Sequence, residues 1–306
     1  MKYLVTGGAG FIGSHIAERL IQQNDSVIVL DNLNTGKLKN LEKILDDITF
    51  VNGDIRDEKI IEKLLDDVDG VFHQAALASV QDSFLKTDEY YDVNVNGTEN
   101  IFKQSSKKGI KVVYASSSSV YGNPKKLPVD EQDEKNPFNP YAKTKLEDEK
   151  LAENYSKKGA KIIGLRYFNV FGFRQSKEYA GVIKLFLEKI SKKESPKING
   201  DGMQTRDFVH VRDVVNANIL SMTSEVDHEF FNVGTNFGIS VLDLANMIID
   251  ASGLNISPIH GPALQGDVNA TLADISLINK KLGWNHSITL KDWLEDVIKA
   301  GKIDEV

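Results

Sequence analysis

Lys2-Tyr3-Leu4-Val5-Thr6-Gly7-Gly8-Ala9-Gly10-Phe11-Ile12-Gly13 opens an apolar helical pattern that runs to about Gln23, and Val27-Ile28-Val29-Leu30-Asp31 follows it. The order is strand, glycine turn, helix, strand, acid. Gly8, Gly10 and Gly13 satisfy G-x-G-x-x-G, and Gly7, Gly10 and Gly13 keep a three-residue spacing. Glycines let a backbone turn tightly and approach a pyrophosphate, while a helix start presents unpaired N–H groups and the positive end of its dipole. Asp31 lies 18 residues after Gly13, at the end of the second strand, where an acid accepts hydrogen bonds from an adenosine ribose diol. A carboxylate there repels a 2′-phosphate, which favours NAD over NADP. The alternative is a glycine turn that serves only helix–sheet packing; strand, helix, second strand and acid together favour the dinucleotide.

The alternation continues outward from this unit. A polar loop spans 32–36, a short helix is expected over 38–45, and strands are expected over 48–52, 68–73, 111–115 and 161–165. Ile60, Ile61, Leu64 and Leu65 have helical spacing, and helices are expected over 90–106 and 141–157. Four of the seven prolines fall within 123–140, which reads as a surface loop over one edge of a site. Beyond 165 the rhythm loosens: helices over 182–191, 211–222, 241–251, 275–282 and 290–300, with strands near Ile198 and over 230–233. The expected fold is α/β, a Rossmann-type doubly wound parallel sheet with a smaller C-terminal α/β substrate domain. Residues 1–165 would form the NAD-binding domain, 208–235 would return to it, and 166–306 would mainly form the substrate domain at the strand carboxyl ends.

Composition narrows the function. The chain has 306 residues, 41% hydrophobic and 26% charged, with a net charge of −7 and no long basic run, so nucleic-acid binding is not expected. It has no cysteine, which removes disulfides and thiolate chemistry. No apolar run approaches a membrane span. The N-terminus enters a core strand directly, and a cytoplasmic enzyme is the expectation.

Tyr141 and Lys145 form Y-x-x-x-K on one helix face. A lysine ammonium beside a tyrosine stabilises phenolate, as does a positive nicotinamide ring, and such a tyrosine can take a hydroxyl proton while hydride leaves the same carbon. The alternative is a solvated face, since the helix also carries Lys143, Glu147, Asp148 and Lys150. Ser116 to Ser119 end the fifth strand, and one of them can bond the reacting hydroxyl; spacing does not say which. Asp54 can accept from the adenine amine or simply form a turn. His73 and His210 have no metal-ligand partners at suitable spacing, so no metal is expected. Arg174 and Arg206 can clamp phosphates or lie at the surface.

With these motifs in place, the chain resembles an extended short-chain dehydrogenase/reductase, and more closely the NAD-dependent UDP-glucose/UDP-galactose 4-epimerases. T-G-G-A-G-F-I-G from Thr6, D-N-L at Asp31, G-D-I-R at Gly53, H-Q-A-A at His73, N-V-N-G-T at Asn94 and S-S-S-S-V-Y-G at Ser116 carry the resemblance. So do N-P-Y-A-K-T-K at Asn139, L-R-Y-F-N-V-F-G at Leu165, N-G-D-G-x-Q-T-R-D at Asn199 and G-D-V-x-x-x-L-A-D-I-S at Gly266. The resemblance implies that Gly7, Gly10, Phe11, Ile12, Asp31, Asn32, Thr35, Gly36, Asp54 and Ile55 hold the adenosine half and pyrophosphate of NAD. Ala75, Leu77, Asn94 and Phe168 would line the rest of the cofactor, together with Tyr141 and Lys145. Tyr141 would be the base, Lys145 its partner and Ser117 the catalytic serine. Ser117, Asn169, Val182, Lys197, Asn199, Arg206, Asp267 and Thr271 would meet a UDP-sugar substrate. The implied reaction moves hydride from sugar C4 to NAD, rotates the 4-keto sugar and returns hydride to its other face. A homodimer through the helices over 90–106 and 141–157 is also implied.

Two departures bear on specificity. Leu264 stands where the family usually has a phosphate-contacting arginine, three residues before Asp267. Losing a charge-assisted contact costs roughly 1.5–3 kcal/mol unless Arg174 or Lys197 takes its place. Thr271 occupies a gatekeeper position where the resemblance implies that a large aromatic excludes 2-N-acetyl sugars; a threonine predicts their acceptance, the alternative being an ordinary helix-start residue. Competing readings are a 4,6-dehydratase or a UDP-glucuronate epimerase or decarboxylase of the same superfamily, and a non-catalytic NAD sensor. Elimination needs an added acid beside the active-site hydroxyl, where this chain has Ser118 and Ser119, and a sensor tends to lose Y-x-x-x-K.

Overall fold

The computed structural model describes residues 1–175, 181–263 and 268–306. In chain order the strands are β1 (Lys2–Thr6), β2 (Ser26–Asp31), β3 (Ile48–Asn52), β4 (Gly70–His73), β5 (Lys111–Ser117), β6 (Ile162–Tyr167), β7 (Asn169–Phe171), β8 (Lys197–Asn199), β9 (Thr205–His210), β10 (His228–Val233), β11 (Gly238–Ser240) and β12 (Ile259–Gly261). The helices are α1 (Phe11–Gln22), α2 (Glu58–Leu64), α3 (Val80–Leu85), α4 (Thr87–Tyr91), α5 (Gly97–Lys108), α6 (Pro140–Ser156), α7 (Val182–Ser191), α8 (Val211–Thr223), α9 (Val241–Ser252), α10 (Ser276–Leu282) and α11 (Leu290–Lys299).

The main sheet has seven strands in the order β10-β6-β5-β4-β1-β2-β3, every neighbouring pair parallel. This is the doubly wound Rossmann arrangement. Its strands are apolar on both faces because helices cover both. Tyr3, Val5, Val29 and Phe72 pack with Ile16, Leu20 and Val214 on one side, while Leu4, Ile28 and Val71 pack with Ile61, Ile101 and Phe102 on the other. A second unit follows β6 directly: β7, β9 and β11 form one small sheet, β8 and β12 another. Its core joins Phe171, Phe186, Leu187, Leu244, Ile248, Trp293 and Leu294 from β7, α7, α9 and α11.

The elements differ from the sequence reading in instructive places. The helix expected over 38–45 is two 3-10 turns, Leu38–Leu41 and Leu45–Asp47. Leu41 and Ile44 are buried there but Leu45 is exposed, an apolar face too short to hold an α-helix. The helix expected over 90–106 is broken by a π turn, Asp92–Asn96, whose Asn94 is driven fully inward. The return to the main sheet begins at Val211 rather than Phe208, because β9 pairs with β7 and β11 and only α8 and β10 go back. The main core also takes Ile278 and Trp284 from the C-terminal part, Trp284 Nε1 donating to the Asp213 carbonyl of α8 at 2.9 Å. Among the described residues no helix is long and apolar enough to cross a membrane.

Candidate active site

Strand order reverses between β1 and β4, and their carboxyl ends open a crevice. A cavity of about 890 Å3 runs along it into the smaller unit. Gly7 turns at φ +66°, and a Cβ there would lie 2.7 Å from the Ala75 nitrogen; a Cβ on Gly13 would lie 2.2 Å from the Gly7 carbonyl oxygen. Side chains at either position would force α1 away from the strand turn. Gly10 begins α1 with no side-chain cap, and the first turn carries no acid, so the helix start offers its N–H groups and dipole to an anion. At the end of β2, Asp31 accepts from the Ala9 and Leu33 N–H groups at 2.9 and 2.8 Å. Burial pushes its carboxyl up, against the pull of those two bonds. Arg56 forks across Asp54 with Nε and a terminal nitrogen at 2.9 and 2.8 Å, and Asn32 adds a bond of 3.0 Å. Arg56 and Asn32 hold the Asp54 carboxyl well below the usual range. Asn32, Thr35, Gly36 and Ile55 line the same end.

The centre is built on the start of α6. Asn139 caps that helix, its side chain accepting from the Ala142 N–H at 2.8 Å, and Pro140 occupies the first turn. Tyr141 and Lys145 line the cavity together with Ser116 and Ser117. Lys145 is buried and pairs with Asp148 at 3.2 Å. Ser117 accepts from the Ser119 N–H at 3.2 Å, whereas the Ser116 hydroxyl donates to Glu149 at 2.6 Å. Glu149 is gripped by Arg166 through two bonds of 2.8 Å, and Arg166 also donates to the Tyr121 hydroxyl at 2.7 Å. Burial works against the Arg166 charge, and Glu149 and Tyr121 together outweigh it. This network fixes the strand end that presents the serines.

Farther along, Asn169 donates to the Asp207 carbonyl at 3.1 Å and to the Thr271 hydroxyl at 3.3 Å. Arg206 lines the cavity and donates to the Thr205 carbonyl at 2.8 Å. Val182, Lys197 and Asn199 complete this end, and Ala75, Leu77 and Phe168 lie in the wall between the ends.

Most residues singled out from the sequence thus meet in one cavity, but two stand behind its wall. Asn94 bonds both the N–H and the carbonyl of Leu77, at 2.8 and 3.0 Å, and holds that loop in place. Thr271 backs Asn169. Asp267 and Leu264 lie outside the described residues. Arg174 is turned to α1, pairing with Glu18 and reaching Ser14 Oγ at 3.3 Å, so of the two suggested replacement cations only Lys197 lines the cavity. The sequence reading missed Arg56, Gln74 and Tyr167 in the wall, and the buried Glu149–Arg166 pair beneath it. Asp148, named among the charges of the alternative solvated face, is fully buried. Helical spacing was the available signal: Asp148 and Glu149 stand three and four residues from Lys145.

The family model described as NAD dependent epimerase/dehydratase matches residues 3–234. The chain belongs to this family. It is an NAD-dependent enzyme of the epimerase/dehydratase type. A putative UDP-glucose 4-epimerase of Methanocaldococcus jannaschii is 43% identical over 300 residues, 96% of each chain. Among solved structures, the UDP-glucose 4-epimerase of Thermotoga maritima with UDP-glucose is 35% identical, with TM-score 0.93 over 99% of both chains. The UDP-N-acetylglucosamine 4-epimerase of Methanobrevibacter ruminantium M1, in complex with UDP-N-acetylmuramic acid, is 36% identical with TM-score 0.93 over 99% of this chain and 98% of that one. The residues of this family member suit NAD: a helix start without side-chain cap or acid, glycines whose Cβ atoms would collide, and a buried carboxylate at the end of β2.

Proposed function

We propose that this family member is a 4-epimerase of UDP-hexoses, interconverting UDP-glucose with UDP-galactose and UDP-N-acetylglucosamine with UDP-N-acetylgalactosamine through a transient 4-keto sugar. The observation that carries the reading is the convergence of Tyr141, Lys145 and Ser117 on one cavity, between an adenosine end and a second end lined by Lys197 and Arg206. NAD, which Gly7, Gly10, Asp31, Ala75 and Leu77 would hold, would supply a reversible hydride acceptor for sugar C4. Tyr141 as phenolate takes the proton of the C4 hydroxyl in the first half and returns it in the second, so no proton is gained or lost over a turnover. The Ser117 hydroxyl bonds the C4 oxygen and shortens the proton's path. The Lys145 ammonium favours the phenolate. Asn169 and Arg206 grip the nucleotide diphosphate while the sugar turns, with Lys197 as a further cation for it, Asn199 lies near the uracil, and the family pattern assigns Asp267 to the substrate site.

Asn94 acts in this scheme through Leu77, by holding the cofactor loop. Thr271 acts through Asn169: its small side chain leaves room beyond that amide for a 2-acetamido group. The homodimer through the faces of α5 and α6 belongs to the same proposal, and sedimentation in solution tests it.

Pure protein incubated with UDP-glucose, UDP-N-acetylglucosamine or UDP-glucuronate, with the product sugars resolved, tests the reading. The expected products are UDP-galactose and UDP-N-acetylgalactosamine, formed without added cofactor. A dehydrated or decarboxylated product, or strict dependence on added NADH, would replace it with one of the competing chemistries.

A further inference from the structure

Helix α6 carries a third ionisable group beside the pair discussed above. Asp148 stands three residues beyond Lys145 and seven beyond Tyr141, so all three share one stripe of the helix. The Asp148 side chain is wholly buried, and that of Lys145 is 4% exposed. Oδ2 of Asp148 lies 3.2 Å from Lys145 Nζ, and Oδ1 has no hydrogen-bond partner. The adjacent residue offers a contrast. Glu149 is also buried, but Arg166 and Ser116 supply three bonds to its carboxylate. A buried carboxylate with a single ionic partner and one bare oxygen is a poor way to stabilise a helix, because desolvation offsets the attraction. Among the described residues, the side chain that Asp148 holds is that of Lys145, which lines the cavity.

We propose that Asp148 is a positioning residue: its carboxylate anchors the Lys145 ammonium at the cavity wall and keeps it protonated on the alkaline side of the working range. A neighbouring anion favours an ammonium, and an ammonium taken out of water without one gives up its proton. The surroundings leave this task to Asp148. On α6 itself, Glu147 and Glu149 are nearest, and Glu149 is taken up by Arg166 of β6. From β4, His73 is kept neutral by burial, which pulls it down to about 3. From β5, Tyr114 presents a buried hydroxyl, which burial pushes well up. The π turn contributes the neutral Asn94, and α5 sets Glu99 and Lys103 against Tyr155, farther down α6. Burial raises the Asp148 carboxyl against the pull of Lys145.

The role rests on the 4-epimerase reading for its kinetic consequence, but not for its second readout. In Asp148→Asn the alkaline limb of the kcat profile moves to lower pH by about one unit or more, with KM for the UDP-sugar unchanged. Independently of turnover, competitive acetylation of the holoenzyme across pH, read by mass spectrometry at Lys145, shows the amine becoming reactive at correspondingly lower pH. A variant that is less stable but has an unmoved alkaline limb and unmoved Lys145 reactivity makes Asp148 merely structural and overturns the proposal. Should Asp148→Asn fail to fold, both measurements pass to Asp148→Ser, whose smaller side chain admits water beside the ammonium. If the parent protein epimerises no UDP-sugar, the functional reading falls, and the acetylation profile still decides the role of Asp148.

Discussion

The two ends of the cavity are built in different ways. At the end proposed for adenosine, Gly7, Gly10, Gly13 and Asp31 come from one short strand–helix–strand unit, and much of its shape resides in backbone geometry. At the other end, Asn169, Lys197 and Arg206 come from separate strands, and Asn169 is braced by Thr271, 102 residues away. The first end is a local unit that any doubly wound sheet can present at its switch point. The second exists only when the smaller unit docks. Change in the assembled end can therefore alter the substrate while the cofactor end stays intact, and solved structures of like fold are named for glucose and for N-acetylglucosamine substrates.

Four substitutions would break or sharpen that contrast. Tyr141→Phe, between the two ends, is expected to lower kcat by about 10²–10⁴-fold while NAD recovered from the denatured protein stays stoichiometric; loss of NAD as well would mean that centre and cofactor end are not separable. Thr271→Tyr is expected to lower the turnover of UDP-N-acetylglucosamine relative to UDP-glucose by roughly 10–200-fold, in line with discrimination by pocket volume. An unchanged ratio would remove Thr271 from specificity. Asp31→Ala should weaken NAD by about 1.5–3 kcal/mol, the worth of a hydrogen bond to a charged group, and leave UDP binding in calorimetry alone. It should also lower the melting temperature, because the Ala9 and Leu33 N–H groups lose their acceptor. Asn169→Ala is the mildest: KM for the UDP-sugar rises by the equivalent of about 0.5–1.5 kcal/mol, with NAD content unaffected. If it released NAD instead, the two ends would be coupled through Phe168.

The same contrast explains what was legible in the sequence. The first three strands, the glycine turn and the start of α6 were readable because their periodicity and breakers are local. The strands β7, β9, β11 and β12 were not: three of them are three residues long, too short for alternation to register, and their partners are distant in the chain. The π turn at Asp92–Asn96 was hidden for another reason. It preserves an uninterrupted helical pattern while rotating Asn94 inward to bond Leu77, and only the loop it reaches reveals why.

What the amino-acid order determined by itself was the dinucleotide unit from Lys2 to Asp31 and the shared helix face of Tyr141 and Lys145. In both cases the deciding geometry, a strand-to-helix turn or a four-residue helical step, lies within a few residues. What only the tertiary structure decided was which charges are solvated. Lys143, Glu147, Asp148, Glu149 and Lys150 look alike along α6, yet Asp148 and Glu149 are buried and the others are not. A helix does not record which of its faces a sheet will cover. That depends on β5 and β6 arriving beneath it, and their arrival turns two ordinary acids into the support of the serines and of Lys145.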